Sequence, residues 1–137
     1  MKDPQKSLTE IVLEVIGDRW KVKIVENLLN GTKRFGELKK SLGDITQKVL
    51  TSNLRKLEER GVLIRKVYAQ IPPKVEYKLT AIGQKLKPTI DSMLEWGAEY
   101  RSKMNNLSKK IFSSENEEDS ENKEDSENKA EEKKNEN

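Results

Sequence analysis

The fold is decided by residues 46–61, which read Thr46-Gln47-Lys48-Val49-Leu50-Thr51-Ser52-Asn53-Leu54-Arg55-Lys56-Leu57-Glu58-Glu59-Arg60-Gly61. Apolar residues recur here at spacings that place them on one side of a helix. They are Ile45, Val49, Leu50, Leu54 and Leu57. Thr46 is suited to cap the first turn, and Gly61 is suited to end the helix. The stretch therefore predicts an amphipathic helix from about 46 to 60.

The outer face of this helix carries only hydrogen-bonding side chains and no acidic one. They are Gln47, Lys48, Thr51, Ser52 and Arg55, with Thr46 just ahead of them. Spacings of three and four residues keep them together. Such a face suits the donors and acceptors that base pairs present in a major groove. The same pattern is also found on ordinary solvated helix faces, so the neighbouring elements have to decide.

Two helices are predicted at the start of the chain. Apolar residues within 8–16 follow a helical spacing and are followed by Gly17. Asp18 is suited to cap a second helix, which Asn30 and Gly31 end. Both helices are amphipathic, so each is expected to bury one face.

A short edge strand at 32–34 and a third helix come next. That helix begins near Phe35 and ends at Gly43. Basic residues lie in the strand and on the helix, and they are expected to grip the DNA backbone if the next helix enters a groove. They are Lys33, Arg34, Lys39 and Lys40.

A β-hairpin is predicted after the long helix. Val62–Tyr68 is rich in branched and aromatic residues, and residues 75–79 alternate between apolar and polar. Pro72 and Pro73 stiffen the loop at 69–74 between them. A basic hairpin is usually plain surface, but after a helix–turn–helix it forms a wing that can contact DNA. The candidate contacts are Arg65, Lys66, Gln70 and Lys74.

A long last helix is predicted from Thr80, its candidate N-cap, with Pro88 expected to kink it. Its apolar residues recur every three or four positions as far as Ile111. A helix of thirty residues is roughly 45 Å long, more than one small domain can cover. The far half of this apolar stripe is therefore expected to pack on a second copy of the chain. The alternative is that it folds back on its own core.

Composition removes several classes of function. The 137 residues contain no cysteine and no histidine, so thiol chemistry and the commonest general base and metal ligand are missing. No nucleophile–base constellation and no cofactor or metal motif is present, so we expect neither an enzyme nor a bound cofactor. No apolar segment is long enough for a signal peptide or a membrane span, which predicts a cytoplasmic protein without membrane contact.

The net charge of +3 hides an asymmetry between residues 1–112 and residues 113–137. The second segment holds 11 acidic and 4 basic residues, which leaves a net charge of +10 on the first. It has almost no apolar side chain, so we predict one domain at 1–112 and a disordered acidic tail at 113–137. The tail either only solubilises the chain or competes with DNA for the basic domain.

The order of elements is that of a winged helix–turn–helix, and the residues resemble the HxlR-type transcriptional regulators over about residues 7–104. The motifs that carry this resemblance are Ile16-Gly17-Asp18-Arg19-Trp20-Lys21, Lys33-Arg34-Phe35-Gly36-Glu37-Leu38, Leu54-Arg55-Lys56-Leu57-Glu58-Glu59-Arg60-Gly61, Pro72-Pro73-Lys74-Val75-Glu76-Tyr77 and Leu79-Thr80-Ala81-Ile82-Gly83. The resemblance implies a recognition helix at about 46–60 and a wing at about 69–74. Some members sense oxidants through a cysteine ahead of the first helix. Lys6-Ser7-Leu8 stands there in this chain.

The resemblance also implies a homodimer built from the first and last helices, in agreement with the apolar stripe. The expected interface residues are Leu8, Ile11, Val12, Val15, Ile90, Met93, Trp96, Gly97, Tyr100 and Met104. A small-molecule effector could bind near Trp20, Trp96 or Tyr100, although aromatic residues in such stripes are more often core.

These observations favour a sequence-specific dimeric regulator that binds near-palindromic double-stranded DNA, acts as a repressor and does not sense through thiols. Two other functions stay open. One is a non-specific, chromatin-type DNA binder, which the basic domain would allow. The other is a winged-helix module that docks proteins, which the absence of acidic residues on the helix face disfavours.

Overall fold

The computed structural model describes residues 5–135, with side chains described as far as Glu117. The elements in chain order are α1 (Leu8–Ile16), α2 (Arg19–Leu29), β1 (Lys33–Arg34), α3 (Phe35–Leu42), α4 (Gln47–Glu59), β2 (Leu63–Tyr68), β3 (Lys74–Leu79), α5 (Ala81–Gln84) and α6 (Lys87–Asn135). This mainly helical chain with a small sheet confirms the predicted winged helix–turn–helix. It falls into two compact units, Met1–Ser92 and Met93–Asn137.

The predicted helix caps are present in the first unit. Asp18 accepts hydrogen bonds from the backbone N–H groups of Trp20 and Lys21, at 3.0 and 2.8 Å. The Thr46 hydroxyl accepts from the Val49 N–H at 3.2 Å, and the Thr80 hydroxyl accepts from the Gly83 N–H at the same distance. Each cap satisfies donors that the first turn of a helix leaves without a partner.

The core of the first unit lies between α2, α4 and the sheet. Ile24, Leu28, Leu50 and Leu57 are at most 1% exposed, so α4 is fixed along its whole inner face. α3 and α4 form the helix–turn–helix, joined by residues 43–46. The buried face of α4 leaves its polar face exposed in a fixed orientation.

The sheet has the strand order β1-β3-β2, and both pairings are antiparallel. Arg34 lies opposite Glu76, and Arg65 lies opposite Tyr77. β1 is only two residues long, as the sequence predicts, and it covers the edge of β3 next to α3. This pairing ties the start of α3 to the base of the wing.

Gly61 makes the sharp turn from α4 into β2. Its φ of +74° lies in the left-handed region, which side chains with a Cβ rarely adopt. The Val62 N–H donates to the Leu57 carbonyl at 3.0 Å across this turn. The wing therefore starts directly at the end of α4.

The predicted last helix is two helices, which corrects the single helix expected from Thr80. Thr80 caps the short α5, and α6 begins at Lys87. Pro88 is the second residue of α6, where no intrahelical partner is needed for the N–H that proline lacks. Proline thus starts a helix here instead of kinking one.

α6 also continues through the segment for which the composition predicts disorder, as far as Asn135. Helical backbone needs only local hydrogen bonds, and the glutamate and lysine residues of this segment are good helix formers. The acidic tail without a packed core at 113–137 stays a prediction.

Candidate nucleic-acid interface

The outer face of α4 is the first part of the candidate interface. Gln47, Lys48, Ser52 and Arg55 are exposed, and Thr51 is half-buried. The Thr51 hydroxyl donates to the Gln47 carbonyl at 2.8 Å, so only its acceptor positions face outward. A groove of about 730 Å³ runs along this face.

Sequence reasoning missed the far end of this groove. It is lined there by Lys56 and Glu59 as well as by Arg55. An acidic residue therefore borders the basic face at its C-terminal end and would repel phosphates. The cationic part of the face is confined to the N-terminal and central turns of α4.

The cations of this face form no ion pairs in the part of the chain whose side chains the structure describes. Lys48, Arg55 and Arg65 have no ion-pair partner among residues 5–117. Arg55 of α4 and Arg65 of β2 line one cavity, which brings the helix and the base of the wing together. Unpaired cations on one surface are the electrostatic footprint of a phosphate-binding protein.

The wing carries a charged cluster around Tyr68. The ammonium groups of Lys66 and Lys74 each lie 4.9 Å from the centre of the Tyr68 ring. Lys74 also donates to Glu76 at 2.9 Å, and the Tyr68 hydroxyl donates to the same carboxylate at 3.2 Å. Lys74, a predicted DNA contact of the wing, is therefore already paired with Glu76.

Glu76 is the residue in this cluster that sequence reasoning missed. The hydrogen bond from Lys74 lowers the pKa of the Glu76 carboxyl, burial opposes this, and the Tyr68 hydroxyl and the charge of Arg34 add to the lowering. Glu76 stays ionised and holds one cation of the wing. The alternation of apolar and polar residues in β3 marks Glu76 as a polar position. It does not show that Glu76 pairs with Lys74 and Tyr68.

The remaining predicted DNA contacts lie on the same unit. Arg34, Lys40 and Gln70 are exposed, whereas Lys33 and Lys39 are half-buried. The Arg34 N–H donates to the Glu37 carboxylate at 3.3 Å, which fixes the first turn of α3.

The family model described as HxlR-like helix-turn-helix matches residues 15–105. The chain belongs to the HxlR family. A similar protein is the HTH-type transcriptional regulator YdeP of Bacillus subtilis. It is 46% identical to this chain over 98 residues, which cover 72% of this chain and 77% of YdeP. The chain is accordingly a DNA-binding transcriptional regulator of the helix–turn–helix type.

Solved structures of similar proteins extend the match to the fold. The HTH-type regulator YtcD superposes with a TM-score of 0.68 at 48% identity, over 71% of this chain and 99% of that one. The redox regulator HypR in its oxidised form gives 0.65 at 44% identity, over 68% and 96%. Redox regulation is a property of HypR. The 137 residues of this HxlR-type chain contain no cysteine.

The expected dimer residues of α1 have different environments. Leu8 and Val12 are exposed, Ile11 is half-buried, and Val15 packs against the core. Leu13, which lies outside the predicted stripe, is 65% exposed. The free apolar surface of α1 is therefore shifted towards its first two turns.

Ile90 is wrong as an interface residue. It is 1% exposed and belongs to the core of the first unit, because the break before α6 turns this residue inward. In the second unit Met93, Trp96, Tyr100 and Met104 are all exposed, and the rings of Trp96 and Tyr100 stack with centroids 5.0 Å apart. The same exposed apolar face of this HxlR-type chain continues with Leu107 and Ile111, and Phe112 is exposed beside it.

The aromatic residues considered for an effector lie in two different environments. Trp20 packs against the core, with Arg19 and Lys23 at 4.5 and 5.4 Å from its ring centre. Trp96 and Tyr100 line a groove of about 140 Å³ together with Glu99 and Lys103. Among the side chains of residues 5–117, no cluster of acidic residues is arranged to hold a metal ion. No helix in the described part of the chain is long and apolar enough to cross a membrane.

Proposed function

We propose that this HxlR-type chain is a sequence-specific regulator that binds a near-palindromic operator as a homodimer and represses transcription. The observation that carries this proposal is the exposed polar face of α4, which holds unpaired cations and hydrogen-bonding groups on a helix whose other face is buried. A helix held in this way can enter a major groove without rearrangement.

The contacts divide by chemistry. Gln47, Ser52 and Arg55 have the donors and acceptors needed for base edges, and arginine suits guanine in particular. The phosphate contacts fall to Lys48 and to the exposed cations of β1, α3 and the wing. These are Arg34, Lys40, Arg65 and Lys66. Such contacts fix the orientation of the protein but carry no sequence information.

The homodimer is supported by the apolar faces that the chain leaves exposed. Leu8 of α1, in the first unit, is 82% exposed. In the second unit Met93, Trp96, Tyr100 and Met104 lie at helical spacings on one side of α6 and are 39–65% exposed. Monomeric proteins rarely expose a continuous apolar strip of the kind on α6. A second copy offers the same strip and forms a two-fold symmetric contact. Two recognition helices in such a dimer would enter successive major grooves about 34–36 Å apart.

The regulatory signal is proposed to be something other than thiol oxidation. The 137 residues contain no cysteine, and Ser7 is used as the N-cap of α1, accepting from the Glu10 N–H at 3.2 Å. A serine hydroxyl in that role has no thiolate chemistry near neutral pH.

The test is selection of bound duplexes from a random pool by the purified chain at about physiological salt. We expect enrichment of a two-fold symmetric site whose half-sites are one helical turn apart. Binding without enrichment would show a non-specific DNA binder instead. A pool that is not bound at all would contradict DNA recognition and favour a protein-docking module.

A further inference from the structure

A cavity of about 400 Å³ lies between α4 and the sheet, on the same side as the proposed DNA contacts. We call it the wing cleft. Its apolar lining, which we call the floor, is formed by Phe35, Leu54, Val75 and Tyr77, and its polar lining, which we call the rim, is formed by Arg55 and Arg65 with Gln47, Thr51 and Glu58. This volume lies within the range of roughly 300–1,000 Å³ that small-molecule sites occupy.

The floor of the wing cleft is fixed by the fold. Leu54 and Tyr77 are 2% and 7% exposed and belong to the core, while Phe35 and Val75 pack against that core from the edge of the cleft. Water on such a floor finds few polar partners, so an apolar ring that displaces it gains free energy. The floor is therefore preformed for a flat apolar group.

The charged side chains of the rim are mostly positive. Arg55 and Arg65 have no ion-pair partner among the described residues 5–117, and Glu58 is the acidic residue that lines the cleft with them. The pairing of Arg65 with Tyr77 across the sheet holds this arginine beside the floor. Two guanidinium groups opposed by one carboxylate suit a ligand with a single negative charge, and arginine binds carboxylates through two parallel hydrogen bonds.

We propose that the wing cleft binds a small aromatic carboxylate, with the ring on the apolar floor and the carboxylate between Arg55 and Arg65. The bound ligand occupies Arg55, which the recognition helix needs for DNA. Ligand and operator therefore exclude each other, and the ligand releases the regulator from DNA. This second step rests on the proposed function, whereas the binding site itself does not.

The ligand site is tested without DNA by calorimetric titration of the full chain with 2-naphthoate, and with the uncharged 2-naphthamide as the matched ligand. We expect saturable binding of one 2-naphthoate per chain. The amide is expected to bind about tenfold more weakly or worse, because it forfeits charge-assisted hydrogen bonds. Equal affinity for the two compounds, or no saturation by 2-naphthoate at millimolar concentration, would overturn the proposal.

Three variants locate the site. Arg65→Gln removes one cation of the rim, and Val75→Phe fills the floor; both are expected to weaken 2-naphthoate binding about tenfold or more. Lys78→Gln removes an exposed cation of the same strand that does not line the cleft, and its affinity is expected to equal that of the parent chain. The control for Val75→Phe is a circular dichroism spectrum, which should match that of the folded parent chain. Equal affinities of the Arg65 and Lys78 variants would place the ligand elsewhere.

The coupling to DNA is tested by adding 2-naphthoate to the parent chain bound to a selected duplex. We expect the duplex to be released over the concentration range in which the calorimeter detects 2-naphthoate binding. Release by equal concentrations of the amide, or 2-naphthoate binding without release, contradicts mutual exclusion. A chain that binds 2-naphthoate but never bound DNA would contradict the proposed function and leave the ligand site established.

Discussion

Helices α4 and α6 carry similar apolar patterns but have opposite environments. The apolar residues of α4 are buried in their own chain, with Leu50 and Leu57 at 0% exposure, whereas Met93, Trp96 and Tyr100 of α6 are 47–65% exposed. An amphipathic pattern identifies a face that needs a partner, but not which partner covers it. In this chain α4 finds its partner in α2 and the sheet and presents its polar face outward. Beyond Ser92, the apolar face of α6 is exposed.

The largest expected effect of a single substitution lies in the core around α4. Leu50→Ala leaves a cavity in a fully buried region and is expected to lower the free energy of unfolding by about 2–5 kcal/mol. The matched control is Ile71→Ala at the tip of the wing, where the side chain is fully exposed. Urea unfolding measures both. A similar loss of stability at the two positions would contradict the assigned core.

The next largest effect tests whether the exposed apolar face of α6 forms the dimer interface. The double substitution Tyr100→Glu and Met104→Glu places charges on the exposed apolar face and is expected to abolish the homodimer, because unpaired charges cannot be buried there. Sedimentation equilibrium should then give the mass of a single chain that remains folded. Ser102→Glu, off that face, should leave the dimer intact. A folded dimer in the double variant would place the interface elsewhere.

Recognition by α4 is tested at Arg55. If its guanidinium binds a guanine through two hydrogen bonds, Arg55→Ala should weaken binding to the selected duplex by about 1–3 kcal/mol. It should also relax specificity at one base pair, which binding to a panel of single-position operator variants measures. Weakening by the same factor on every duplex would instead make Arg55 a phosphate contact.

Acid is expected to destabilise the first unit through Asp18. Burial raises the pKa of this carboxyl, but the hydrogen bonds from the Lys21 ammonium and from the N–H groups of Lys21 and Trp20 outweigh burial and lower it. Because the pKa is lower in the folded state, this contribution is present above the ordinary pKa of aspartate, about 4, and is lost as the pH falls below it.

Asp18→Asn isolates that contribution, since asparagine keeps the helix cap but leaves the 7%-exposed Lys21 without its carboxylate. We expect a loss of about 1 kcal/mol at neutral pH, discounted because the Asp18 side chain is 46% exposed. The variant should lose less stability than the parent chain on acidification. Parallel acid-dependent losses in the two chains would rule out this carboxylate as the source.

The smallest effects concern the phosphate contacts of the wing. Lys66→Ala should reduce the slope of log affinity against log salt by about one unit. Lys74→Ala should reduce it less, because the Lys74 ammonium is already paired with Glu76. Titrations at several salt concentrations measure both slopes. Equal reductions would mean that Lys74 leaves Glu76 when DNA binds.

Local signals predicted most of the fold. The caps at Asp18, Thr46 and Thr80 and the helix ends at Gly17 and Gly61 depend on neighbouring residues alone, so the sequence identifies them. Pro88 carried an ambiguous signal, because proline either kinks a helix or begins one, and only the position of the preceding break distinguishes the two.

The sequence predicted which side chains lie on the exposed face of the candidate site, but not which of them contact one another. The exposed residues of α4 follow from its period, whereas the contact of Lys74 with Glu76 and Tyr68 depends on the register of the hairpin. Ile90 and Met93 share one apolar stripe in sequence, yet only the fold decides that the first is buried and the second exposed. Periodicity therefore predicts which residues share a helix face, and tertiary packing determines which of them are buried.

The most direct test of the contrast between α4 and α6 is to change the half-site spacing of the selected duplex by five base pairs. Half a helical turn moves one half-site to the opposite side of the DNA, where a two-fold dimer with fixed recognition helices cannot reach both. We expect affinity to fall to that of a single half-site and to recover when ten base pairs are added. Affinity that does not depend on spacing would contradict the pairing of two α4 helices through α6.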